Sequence, residues 1–152
     1  MSIDARLREL NIHLPEALSP VANYVPYQLS GNLLFISGQI SNGPDGLITG
    51  KLGEDMELAD GVEAARSCGL ALLAQARAAL GSLDRVERVV KLTAFVNSTP
   101  YFTDQPEVVN GCSDLMVEVF GDAGRHARAA VSAPSLPRGV AVEIDAIFQV
   151  AS

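Results

Sequence analysis

Across residues 139–150 every second side chain is apolar: Val140, Val142, Ile144, Ala146, Phe148 and Val150. Between them stand Ala141, Glu143, Asp145, Ile147 and Gln149. A period of two places the two series on opposite faces of a β-strand. One face is wholly apolar and must be covered by other elements. The other carries two carboxylates in mid-strand, where acidic side chains are uncommon and need partners or a task. The segment therefore demands a sheet with one buried face. It also singles out Glu143 and Asp145, either as members of a structural ion pair or as functional groups.

The cover for that face is legible too. Residues 60–80 repeat Val62, Ala65, Gly69, Leu72, Leu73, Ala76 and Leu80 at helical spacing. Asp60 is the candidate N-cap, Glu63 completes a box-like pattern and Gly81 fits the stop. Gly69 costs roughly 1 kcal/mol against alanine inside a helix, and close packing on the sheet would account for it. A second helix is expected over 105–120, with Val108, Val109, Cys112, Leu115, Met116, Val119 and Phe120 on one side and Gly121 at its end. A short amphipathic helix is expected over 3–11. Further strands are expected at 24–29, 32–37, 86–97 and 126–133, with a weak one at 47–52; Ser30-Gly31-Asn32 is a turn signal. This order of elements defines an α+β fold, a mixed sheet with two main helices on one face and a short N-terminal helix. Two helices cover one face only. The open face is expected to carry Leu33, Phe35, Val89, Phe95 and Ile147, and a half-apolar open face invites another subunit.

The 152 residues fit one domain, 1–152, with residues 1–19 as an N-terminal helical extension. Hydrophobic residues at 48% and charged residues at 19% exclude a disordered chain. A formal net charge of −7 disfavours binding to phosphate backbones, so no nucleic-acid partner is expected. The longest apolar stretches fall far short of a membrane span. The charged start lacks the apolar core of a signal peptide, so a soluble, cytoplasmic protein without a membrane partner is expected. Two cysteines, Cys68 and Cys112, are too few for a disulfide framework or a four-ligand zinc site, and both fall on apolar helix faces where a packed thiol is the ordinary state. Gly46 to Leu52 echoes a phosphate loop but lacks its glycine spacing, and Leu52 stands where Ser or Thr must hold magnesium. No metal site is expected.

The informative region runs from Gly124 to Ile147. Arg128 sits among small residues at the start of a strand, too small to cover it. Its guanidinium is either a carboxylate clamp in a cleft or a strand-end surface charge. Three features come together here: Arg128-Ala-Ala-Val131, then Leu136-Pro137, then Val142-Glu143-Ile144-Asp145-Ala146. With Ile36-Ser37-Gly38-Gln39, Val109-Asn110 and Asn23-Tyr24-Val25, the chain from about Pro20 to the C-terminus resembles the RidA/YjgF family of reactive enamine/imine deaminases. The N-terminal helix, Asn110-Gly-Cys-Ser-Asp and Phe120 to Arg128 resemble the family's longer branch.

The resemblance implies a chorismate-mutase-like (YjgF-type) fold and a homotrimer with clefts between subunits. It implies that the partner is a small carboxylate-bearing metabolite. Arg128 would hold the carboxylate and Glu143 would position the attacking water. Tyr24, Ser37, Gly38 and Asn110 would line the cleft. The implied reaction is hydrolysis of a 2-enamine or 2-imine acid to a 2-ketoacid and ammonia, as in a 2-iminobutanoate/2-iminopropanoate deaminase. An iminium carbon is already electrophilic, so no metal or organic cofactor is called for. One departure stands out: Ala130 occupies the place of a cysteine found in many members. Two other functions use the same features. A non-catalytic binder of ketoacids or related metabolites would need the same clamp. The endoribonuclease label attached to parts of the family sits poorly with the charge of −7 and with the lack of a histidine acid/base pair beyond His126.

Overall fold

The computed structural model describes residues 1–20 and 22–152. The chain runs α1 (Ile3–Glu9), β1 (Tyr27–Ser30), β2 (Leu33–Ile40), β3 (Asn42–Gly43), β4 (Gly46–Leu47), α2 (Leu58–Leu80), β5 (Val86–Asn97), α3 (Gln105–Phe120), β6 (Ala127–Ala133) and β7 (Val142–Val150). Short 3-10 turns at Leu83–Arg85, Gly121–Gly124 and Pro137–Gly139 join some of them. Five strands form one sheet in the order β1-β2-β7-β5-β6; β3 and β4 form a separate small hairpin. β5 and β6 pair in parallel and every other neighbour pair of the large sheet is antiparallel. The parallel pair needs a crossover, and α3 supplies it. This is the expected α+β arrangement.

The core forms where α2 and α3 lie over one face of the sheet. In β7 the apolar series from Val142 to Val150 is buried residue by residue, and the alternate series is half-exposed. In α2 the inward residues include Ala65, Cys68, Gly69, Leu72, Leu73 and Ala76. The two helices touch closely. A Cβ on Gly69 would lie 2.8 Å from Leu115 Cδ2, and one on Gly111 would lie 2.0 Å from the Val62 carbonyl oxygen. Gly69 therefore packs against α3 and not against the sheet, which corrects the reading of that glycine.

The N-terminal extension is tied to this layer. The Ser2 hydroxyl accepts from the Ala5 amide and caps α1. Arg6 Nε donates to the Glu118 carbonyl at 2.9 Å, and the Ile3 amide donates to Asp84 Oδ1 at 2.7 Å. The buried Gln75 amide donates to the Leu18 carbonyl at 2.7 Å, so the segment after α1 is held against α2.

Several boundaries move. α2 begins at Leu58, with Glu57 in extended backbone at the cap position and no side-chain cap bond; Asp60 lies in the first turn. The helix starts earlier because the Glu57 carbonyl already accepts from the Asp60 and Gly61 amides. β1 is shorter than expected, and β7 begins at Val142 because Pro137–Gly139 forms a turn. No strand spans 47–52. Its residues make only the short hairpin and single bridges, Thr49 to Val140 and Leu52 to Met56 and Ser98. Val89 is buried on the helix side because β5 is irregular between Val86 and Arg88 and again between Val89 and Lys91. Each irregularity adds a residue without adding a partner and flips the faces beyond it. The open face keeps Leu33, Phe35, Phe95 and Ile147, joined by Val131 of the edge strand β6.

Candidate active site

The residues that could act on a small acid fall into two groups, one on each side of the sheet. Arg128 belongs to the first. In the parallel register it pairs with Leu92, whose side chain is buried under the helices, so Arg128 projects to the helix side at the sheet edge. There it meets α3. Its Nη1 donates to Asn110 Oδ1 at 2.8 Å and to Ser113 Oγ at 3.2 Å. Its Nε and Nη2 donate to nothing, and it forms no ion pair, among the described residues. The expectation that small neighbours leave the guanidinium uncovered holds, since Arg128 is exposed. Ala130, two residues on, is half-buried and packs on the core.

The second group lies on the open face. Glu143 and Asp145 share that face, as the alternation predicted, and both are half-buried. Glu143 is opposite Ile40 and Phe95; Asp145 is opposite Thr93. Neither makes a hydrogen bond or ion pair with any described side chain. A structural ion pair is thus not what holds them there. Burial raises the Glu143 pKa above the ordinary glutamate range, and the neighbouring Asp145 charge raises it further. Burial also raises Asp145, against a smaller lowering by Lys91.

Space for the Glu143 carboxylate comes from a bulge. The β2–β7 register shifts between Ile36 and Gln39, so Ser37 and Gly38 lie outside the regular ladder. A Cβ on Gly38 would stand 2.5 Å from Glu143 Oε2. Ser37 is fixed beside it: its amide donates to the Pro26 carbonyl at 2.9 Å and its hydroxyl to the Val25 carbonyl at 2.7 Å. A shallow hollow of about 380 Å³ opens here, lined by Val25, Tyr27, Ser37, Gly38, Asp145 and Ile147 among others. Tyr24 is exposed in the segment before β1 and does not line it; Tyr27 does.

The fold therefore joins Arg128 with Asn110, and Glu143 with Gly38 and Ser37, but it does not join the two groups. Arg128 and Glu143 are on opposite faces, two strands and three residues apart in register, on the order of 14 Å between Cα atoms. Ser113, which accepts from Arg128, and His126, hydrogen-bonded to Ser113, were not among the expected site residues. Ser113 lies three residues beyond Asn110 and so shares its helix face, a spacing that could have flagged it. Another hollow, of about 410 Å³, is lined by Asp4, Leu7, Arg8, His13 and Arg77 and shares no residue with either group. The cysteines are packed thiols: burial pushes Cys112 up to about 12, partly opposed by Arg128, and pushes Cys68 up as well. Among the described residues no helix is long and apolar enough to cross a membrane.

An α+β sheet of this order, with two helices on one face and the other face open, defines a fold that known relatives share. The family model described as "YjgF/chorismate_mutase-like, putative endoribonuclease" matches residues 4–147, and the chain belongs to that YjgF (RidA) family. It is 51% identical to Protein TCP17 of Trypanosoma cruzi over 149 residues, 97% of this chain and 93% of that protein. Among solved structures it is similar to Atu1372 from Agrobacterium tumefaciens, at 47% identity and a TM-score of 0.90, covering 98% of this chain and 92% of that one. It is also similar to E. coli TdcF with bound serine, at 26% identity and a TM-score of 0.63, covering 90% of this chain and 94% of that one.

Proposed function

We propose that this protein hydrolyses 2-enamine and 2-imine acids to 2-ketoacids and ammonia, in a cleft built between two copies of the chain. The observation that carries the reading is the pair of incomplete groups. A guanidinium with a bidentate edge free among the described residues lies on one side of the sheet, and a half-buried carboxylate with no partner among them lies on the other. A head-to-tail contact that sets one group of a first copy against the other group of a second copy generates a ring when its rotation closes. A homotrimer is the ring we propose, and the half-apolar open face is the surface it would cover. The serine bound to TdcF, a small molecule with a carboxylate beside a nitrogen-bearing carbon, has the shape such a cleft would take.

The chemistry follows from the parts. Arg128 holds the substrate carboxylate through its free edge and thereby orients the adjacent C=N carbon before reaction. Asn110 steadies the guanidinium by accepting from Nη1 through its Oδ1. Water adds to the iminium carbon with Glu143 as the base that takes its proton. An enamine reaches the same iminium by taking a proton at its β-carbon. Glu143 then returns the proton it took from water to the amino nitrogen of the carbinolamine, and ammonia leaves as the hydroxyl proton passes to the carboxylate, giving the ketoacid. A carboxylate whose pKa is raised above its ordinary range is a better proton acceptor than an ordinary one. Ser37 and Gly38 shape the wall beside it.

The test is to generate imino acids with an amino-acid oxidase and follow their decay. Wild type should accelerate decay. Glu143→Gln should slow it by roughly 10²–10⁴-fold while still binding ketoacid, and Arg128→Lys should recover little of an Arg128→Ala defect, because a point charge cannot replace the fork. Ketoacid binding with no acceleration by wild type would leave a metabolite-binding protein in place of an enzyme.

A further inference from the structure

Behind Arg128 runs a hydrogen-bond chain whose direction chemistry dictates. Arginine has no acceptor, so Nη1 is the donor to Ser113 Oγ, 3.2 Å away. The Gly124 carbonyl has no proton, so His126 Nδ1, 2.6 Å from it, carries the hydrogen and donates. In the neutral imidazole Nε2 is then an acceptor, and the Ser113 hydroxyl, 2.8 Å away, donates to it. Every proton in the chain from Arg128 through Ser113 and His126 to Gly124 has one destination. The terminal carbonyl is itself well placed: Gly124 is buried against the Met116 carbonyl of α3, where there is no room for a Cβ.

The consequence falls on the guanidinium. Nη1 has two hydrogens, and Asn110 and Ser113 take both. The end-on edge formed by Nη1 and Nη2 is then closed to a bidentate ligand, and only the edge formed by Nε and Nη2 remains. We infer that Ser113 and His126 are positioning residues for Arg128, selecting the edge of the guanidinium that meets the substrate carboxylate and freezing the side chain before the ligand arrives. This rests on the carboxylate reading of Arg128 given above. Freezing an exposed arginine in advance lowers the ordering cost of binding.

Calorimetric titration of the full-length protein with 2-oxobutanoate tests it. Ser113→Ala and His126→Phe should each weaken binding roughly tenfold with an unchanged melting temperature. The double variant should be no weaker than either single one, because one chain is cut in both. Ser113→Thr, which keeps the hydroxyl, should recover wild-type affinity, as a merely space-filling role would not require. Wild-type affinity in Ser113→Ala, or a Ser113→Thr variant as weak as Ser113→Ala, overturns the inference. Arg128→Ala in the same titration separates the two levels. If it loses binding while Ser113→Ala keeps it, only the positioning role falls; if it binds as wild type does, the clamp falls and the positioning role with it.

Discussion

Glu143 and Asp145 stand two positions apart on one strand face, half-buried, with no ion pair to either among the described residues. Their raised pKa values make the native state hold protons that the unfolded chain releases. Between the ordinary carboxylate range and the raised values the native state binds more protons, so stability falls as pH rises through that window. Such a cost is consistent with a pair kept for chemistry. It also separates their roles. If Glu143 is the base, the acid limb of the kcat/KM profile lies above the ordinary glutamate range. Asp145→Asn removes the neighbouring charge that helps raise Glu143, so it should move that limb to lower pH and leave turnover at neutral pH near normal. A pH–rate profile of the variant checks this. An unmoved limb would detach the rate from Glu143, and a slow Asp145→Asn beside a near-normal Glu143→Gln would exchange the two roles.

At the scale of elements, two close approaches do different work. Gly111 lets α3 settle against the backbone of α2, and a Cβ there meets a carbonyl oxygen that cannot move without moving a helix. Gly111→Ala should therefore cost roughly 1–3 kcal/mol or more, lowering the melting temperature by roughly 2–4 °C for each of them. Gly38 sits in the β2 bulge, and its added Cβ meets the end of the Glu143 side chain, which can swing aside. Gly38→Ala should leave the melting temperature nearly unchanged and slow imine hydrolysis by displacing the carboxylate. Thermal melts and imine decay on both variants check the contrast; a Gly38→Ala protein with wild-type turnover would show that the bulge does not position the base.

The whole molecule raises the question of completeness, because one chain places Arg128 and Glu143 on opposite faces of its sheet. If the cleft is shared, two inactive variants should rescue each other. Arg128→Ala and Glu143→Gln chains, unfolded together and reassembled, should regain about a quarter of the wild-type rate, since random assembly pairs an intact arginine with an intact glutamate at one interface in four. Light scattering of the wild type should give a trimer mass. A monomer mass, or mixed chains as inactive as each variant alone, would remove the intersubunit cleft.

Residue periodicity alone determined the main elements and their buried faces. β7, α2 and α3 are long, their apolar series are regular, and covering those series leaves little freedom. Glu143 and Asp145 were legible for the same reason, as charges in an otherwise apolar alternation. Arg128 was conspicuous by its small neighbours, but its role came from resemblance to a family, since spacing alone favours a surface arginine. The bulges in β2 and β5 left no such trace. An extra residue in a ladder depends on how the partner strand pairs, so Val89 changed face and Gly38 became the place for a carboxylate only once the sheet had formed. Likewise only the parallel pairing of β6 with β5 decided that Arg128 faces α3, within reach of Asn110 and Ser113. Alternation along a strand says which residues share a face; which face, and opposite what, is set by contacts between segments far apart in the chain.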